Sequence, residues 1–263
     1  MRTRILTAAV GIPVVLAVVF VGGYVFKAAV VLIALAATWE AYTLLRGSGH
    51  HPAIGPGLAM AGFLAVAPGA IHPLLWWQAT TLLGMIAAGV WFLFNATGYD
   101  AFTDWALTVV IAFYAGGLAG SLTATRFLSD GLRLAILVLI LTWAYDTGAY
   151  LTGRTIGRTP FMQNISEKKT LEGVAGGLAL TIVVALVAAT PANVPVATAF
   201  VAAVAIALAA QAGDLIESLM KRYAGVKDSG NLLPGHGGLL DRIDGLLFSG
   251  TAAYFIFLLA GYK

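Results

Sequence analysis

The residues with the most chemistry to offer stand together, in the run Ser218 to Asp244, SLMKRYAGVKDSGNLLPGHGGLLDRID. Four basic side chains (Lys221, Arg222, Lys227, Arg242), three acidic ones (Asp228, Asp241, Asp244), His236 and five glycines fall within it, in a chain that is only 10% charged. Desolvating polar groups is costly, so a dense polar island between apolar runs marks a site. Asp214, Glu217, Ser218 and Lys221 are spaced i, i+3, i+4, i+7 and share one helix face. Asp241 and Asp244 share a face of the next helix by the same rule. Carboxylates presented from two helix ends suit a hard cation such as Mg²⁺. Lys221, Arg222, Lys227 and Arg242 supply the positive charge that a polyphosphate requires. The glycines of Gly235-His236-Gly237-Gly238 let backbone N–H groups approach an anion. Metal, cations and a glycine turn together point to nucleotide phosphate chemistry.

A second island runs from Thr142 to Gly177. Asp146 lies inside an apolar run, with Tyr150 and Arg154 at i+4 and i+8 on its face; an intramembrane carboxylate is a functional candidate, here weighed against a structural pair with Arg154. Ser166, Lys168, Lys169, Thr170 and Glu172 cluster before Gly173, where paired lysines also suit anionic lipid headgroups. Asp100 and Asp104 are expected to be solvated in a loop, and His50, His51 and His72 follow no metal-binding spacing.

The first run resembles the signature of the phosphatidate cytidylyltransferases, also called CDP-diacylglycerol synthases. Ser218, Lys221, Arg222, Lys227, Asp228, Pro234, His236, Gly237, Gly238, Asp241, Arg242 and Asp244 match that pattern without a gap. Ser166 to Gly173 fits the family's Ser-Pro-Lys-Lys-Thr-x-Glu-Gly pattern, with Glu167 in place of proline, and Asp146 to Tyr150 and Gly153-Arg154 are family-like as well. The resemblance covers about 142–245; the N-terminal half matches only in hydropathy. It implies the reaction of CTP with phosphatidic acid to give CDP-diacylglycerol and pyrophosphate. It also implies Mg²⁺, with room for a second cation, and a homodimer.

Under that reading Asp214 and Asp241 are the first choices as Mg²⁺ ligands, and Asp244 and Asp146 the second. Lys221, Arg222, Lys227 and Arg242 take phosphates, with Asp228 and His236 beside them in the motif. His236 serves as a phosphate donor or turn-former. Ser166, Lys168, Lys169, Thr170, Ser218, Gly237 and Gly238 complete the substrate-binding set, the two lysines being assigned to the phosphatidate headgroup or the leaving pyrophosphate. Two alternatives stay open: a CTP-dependent lipid kinase, and an ion-coupled transporter built on Asp146 and Asp214. Product identity separates the first, and Mg²⁺-dependent CTP turnover the second.

The elements that must position these groups are membrane spans. The 263 residues are 60% hydrophobic with a mean hydropathy of +0.90, above the composition of soluble domains. About 20 apolar residues cross a bilayer, and nine candidate runs follow: 5–23, 28–45, 56–71, 74–94, 105–125, 132–152, 174–190, 196–219 and 243–261. The third is short enough to be re-entrant. The chain is thus expected to be an all-α polytopic integral membrane protein of about nine helices, a single transmembrane domain over 1–263. Arg2 and Arg4 precede an apolar run too long for a signal-peptide core, so the first span is read as uncleaved. With a cytoplasmic N-terminus, eleven Lys and Arg fall in inside segments against four outside, in keeping with the positive-inside rule. That places both islands on the cytoplasmic face of the cell (inner) membrane, where nucleoside triphosphates are. Zero cysteines exclude disulfides and thiolate ligands. Membrane lipids are expected partners and nucleic acid is not.

Overall fold

The computed structural model describes the backbone of residues 2–95, 100–230, 232 and 237–263, with side chains from residue 9 onward. Among these residues the regular structure is helical apart from isolated bridge residues, the antiparallel pair Pro160 and Thr170 and also Gly237. The α-helices are α1 (Arg2–Val21), α2 (Gly23–Gly47), α3 (Ile54–Val66), α4 (Pro73–Asn95), α5 (Ala101–Ala112), α6 (Leu118–Arg126), α7 (Gly131–Ile156), α8 (Leu171–Ala188), α9 (Val196–Tyr223) and α10 (Leu240–Leu259). A π-turn, Phe113–Gly117, joins α5 to α6 without a break, and a 3₁₀ turn, Ala67–Gly69, extends α3. Among the described residues seven helical segments are long and apolar enough to cross a membrane, and Ala9–Val21 and Ile54–Gly69 are shorter apolar ones. The chain is an all-helical multi-pass membrane protein.

The helices form two compact units: residues 1–124 with 223–241, and residues 125–222 with 242–263. In the first, the core is Met60, Ala61, Leu64 and Ala112, with Trp77, Val109 and Phe113 packed on it. Its polar ties show how the short α3 runs. At one end the Ala53 N–H donates to Thr108 Oγ1 (2.9 Å) and Tyr42 Oη donates to the Thr108 carbonyl (2.7 Å). At the other, Lys27 Nζ reaches the Gly69 carbonyl and Thr123 Oγ1 donates to the Ala65 carbonyl (2.8 Å). Residues 54–69 therefore travel from the C-terminal end of α2 back to its start, and do not turn round midway as a re-entrant segment would. Gly116 and Gly120 make the approach possible. A Cβ at Gly116 would strike the Ala61 backbone, and one at Gly120 would lie 2.6 Å from the Leu64 carbonyl oxygen.

The second unit packs α7 to α10 around Tyr145, Ala207 and Ala210. Glycines again set the closest contact. A Cβ on Gly148 would lie 2.8 Å from the Gly176 carbonyl oxygen, and one on Gly177 would lie 2.7 Å from the Tyr145 ring. Thr142 and Ser249 share a hydrogen bond at 2.7 Å between α7 and α10. One end of this unit is closed by Ser129 N–H to the Lys263 carbonyl (2.7 Å) and by Tyr262 Oη to the Asn193 carbonyl (3.1 Å). The opposite end, where α7 and α9 finish and α8 and α10 begin, carries most of the unit's charged residues.

Candidate active site

The charged end of the second unit is built from a loop and the ends of four helices. The loop, residues 157–170, is folded back by Phe161 N–H to the Lys169 carbonyl and Leu171 N–H to the Thr159 carbonyl, both 2.9 Å. Glu172 holds its far side, accepting from Thr159 Oγ1 (2.7 Å) and from the N–H groups of Arg158 and Thr159. Thr170 caps α8, its Oγ1 accepting from the Gly173 N–H at 3.2 Å. Ser166 sits in the loop's turn, its N–H donating to the Met162 carbonyl (3.0 Å), and Arg222 Nε reaches the Ile165 carbonyl at 3.3 Å. This fold separates the two lysines. Lys168 is exposed, whereas Lys169 is turned onto α9 and pairs its Nζ with Asp214 Oδ2 at 2.7 Å.

Along α9 the expected single face is realised. Ser218 Oγ donates to Asp214 Oδ1 (3.4 Å), and one turn further Lys221 pairs with buried Glu217. Asp146 on α7 and Asp244 on α10 belong to the same unit. The charge of Asp214 bears on both, Lys169 opposes it at Asp146, and Lys221 opposes it at Asp244. The contact that brings α10 so close is again a glycine, since a Cβ on Gly213 would meet the Asp244 carbonyl. Arg154, weighed as a partner for Asp146, instead donates to Tyr150 Oη at 2.8 Å. Asp146, Asp214, Asp244, Lys169 and Lys221 are thus one electrostatic group, drawn from both islands of the sequence.

The carboxylate oxygens of these aspartates are of the donor type that a hard divalent cation takes. Among the described residues no three His, Asp or Glu side chains form a preformed metal cage. Mg²⁺ does not need one, because it keeps several waters and commonly takes one or two carboxylates together with substrate phosphates. The side chain of Asp214 is 49% exposed.

The remaining motif residues lie in the first unit, except Arg242, which belongs to the second. Lys227 and Asp228 are exposed in the loop after α9, and Arg242 is exposed in the first turn of α10. Asp241 Oδ2 accepts three hydrogen bonds, from Ser229 N–H (3.0 Å), Ser229 Oγ (2.9 Å) and Gly238 N–H (2.9 Å). Asp241 therefore shapes the loop whatever else it does. Gly237 takes φ +84°, and Gly238 is buried so closely that a Cβ would strike Ser229 Oγ. Pro234, Gly235 and His236 lie outside the described residues.

A model of the cytidylyltransferase family matches residues 2–260. The chain belongs to the cytidylyltransferase family. The phosphatidate cytidylyltransferase of Staphylococcus epidermidis is 33% identical over 257 residues, covering 94% of this chain and 95% of that protein. The phosphatidate cytidylyltransferase of Synechocystis is 29% identical over 285 residues, covering 97% and 96%. That of Bacillus subtilis is 40% identical over 131 residues, 49% of each chain. Family likeness thus extends through the N-terminal half, where no motif had been recognised.

Two residues of that half were missed or misjudged in the sequence. Glu40, on α2, is 3% exposed and accepts from the N–H groups of Leu239 (3.0 Å) and Leu240 (2.8 Å). A lone carboxylate inside an apolar span is itself a signal, and it had gone unread. Asp104, expected to be solvated, is 6% exposed in the first turn of α5 and pairs with His50 Nδ1 at 3.2 Å. The expectation failed because its partner lies 54 residues away, in the loop after α2.

Proposed function

We propose that this chain transfers the cytidylyl group of CTP to phosphatidic acid, giving CDP-diacylglycerol and pyrophosphate. The observation that carries this reading is its relationship, over nearly its whole length, to proteins named for that reaction. The site chemistry is in keeping with it. An oxygen of the lipid phosphate, already anionic near neutral pH, attacks the α-phosphorus. The bond from that phosphorus to its bridging oxygen breaks, and pyrophosphate leaves with the electron pair. No strong general base is required; what must be overcome is the meeting of two polyanions.

In the second unit Asp214, with Asp146 and Asp244, would hold Mg²⁺. When bound, the ion neutralises phosphate charge and acts as a Lewis acid on phosphoryl oxygen. Lys169 and Lys221 balance the carboxylates and stand ready as phosphate ligands beside Arg222. In the first unit Lys227 is a phosphate ligand, and Asp241 is the organiser of its loop. The decisive experiment follows label from CTP. Label from α-labelled CTP is expected in lipid; γ-label in lipid would indicate a kinase, and absence of any CTP turnover would favour a transporter.

The membrane orientation belongs to the same proposal. The positive-inside excess puts the loops around Lys169 and Lys227 in the cytoplasm of a cell whose inner membrane the chain spans, and Lys263 on the outer side. A reporter fused after Lys263 is expected to read as exterior; a cytoplasmic signal would overturn the orientation.

A further inference from the structure

The N-terminal half supplies none of the expected site residues, yet it grips the signature loop at both of its described ends. At the exit, the buried Glu40 carboxylate binds the N–H groups of Leu239 and Leu240. The first N–H groups of a helix have no partner within it, and the helix field there favours an anion. The same carboxylate lies against the loop's glycines. A Cβ at Gly230 would stand 2.8 Å from Oε1, and one at Gly238 2.9 Å from Oε2.

At the entry, Tyr223 ends α9. Its hydroxyl bonds to His50 Nε2, and its ring stacks on the imidazole with centroids 5.7 Å apart. His50 Nδ1 in turn faces the buried Asp104 Oδ1. An imidazole that donates from Nδ1 to the Asp104 carboxylate accepts at Nε2 from the tyrosine hydroxyl. Asp104 is fixed to the same corner, its carbonyl accepting from Thr108 Oγ1 (2.7 Å), which in turn accepts from the Ala53 N–H.

Burying a carboxylate in a membrane helix is costly, and packing α2 against apolar neighbours does not call for one. Resting on the function proposed above, we propose that Glu40 and His50 are positioning residues. Glu40 fixes the exit of the signature loop and His50 its entry, so the N-terminal helices hold the loop backbone in the shape that cytidylyl transfer uses.

The test uses the full chain carrying Glu40→Gln, Ser229→Ala, their combination, or Tyr223→Phe. Each is read by steady-state kinetics and by backbone hydrogen exchange. Glutamine keeps the size of glutamate but turns a donor toward one of two donors. Exchange at residues 237–240 is expected to quicken about tenfold or more, and kcat to fall on the order of tenfold, while exchange in α7 and α8 stays as in the parent. Glu40→Gln and Ser229→Ala act on one turn, so their joint cost should be smaller than the product of the single costs. Tyr223→Phe keeps the stacked ring and should lower kcat about threefold, with faster exchange at 223–230.

Parental kcat in Glu40→Gln despite loosened residues 237–240 would overturn the proposal. So would unchanged exchange there, or costs that simply multiply. Should Glu40→Gln lose protection throughout α7 as well, Tyr223→Phe decides, and parental kcat in that variant is the overturning result. If the parent makes no CDP-diacylglycerol, the proposed function falls; the clamp is then judged by exchange alone, and unchanged exchange in Glu40→Gln overturns it.

Discussion

Asp214→Asn is expected to lower cytidylyl transfer by about 100-fold or more while the protein still inserts and folds. The substitution preserves shape and removes a charge at the centre of the carboxylate group. Asp214 is the member whose field reaches both Asp146 and Asp244, and its own two oxygens already engage Lys169 and Ser218. The asparagine leaves Lys169 without its counter-ion and offers a hard cation only a neutral oxygen. Its side chain is half exposed, so the loss should fall on turnover much more than on stability. The measurement is transfer of α-label into lipid at saturating Mg²⁺, beside a thermal unfolding curve. Near-parental turnover would remove Asp214 from the metal ligands.

The second large effect separates neighbours. Lys169→Met is expected to cost roughly 10- to 100-fold in kcat/KM, and Lys168→Met about twofold or less. In the sequence the two lysines read as one basic pair serving the lipid headgroup or the leaving pyrophosphate. In the folded loop the backbone pairing of Lys169 with Phe161 turns its side chain onto α9, where it is mostly buried against Asp214. Lys168 faces solvent. Lys169 therefore stands with the carboxylates, and its loss should impair use of both substrates. Equal costs at the two positions would refute this separation.

Much of this was legible in the chain. Apolar runs marked the helices because lipid leaves few other ways to satisfy a backbone, and the i, i+3, i+4 spacing correctly placed Asp214, Ser218 and Lys221 on one face. The family motifs marked the islands. What stayed hidden depends on contacts distant in sequence. Glu40 stands alone among apolar residues, and its partners lie about 200 positions later. Asp104 looks like any loop aspartate until His50 is beside it. The differing fates of Lys168 and Lys169 come from a loop fold that no helical or strand period describes. The π-turn before Leu118 was equally invisible, since nothing in the apolar run through Phe113–Gly117 marks it.

The glycine seam between α7 and α8 has a consequence for anyone mapping this protein by mutation. Gly148 and Gly177 have no side chain to offer a substrate, but neither has room for one more carbon. A screen scored only by lost activity will return them beside Asp214, and the resulting map will show a false second hotspot. Scoring membrane abundance in the same screen separates the classes: seam variants vanish from the membrane, whereas chemically disabled ones remain there and are silent.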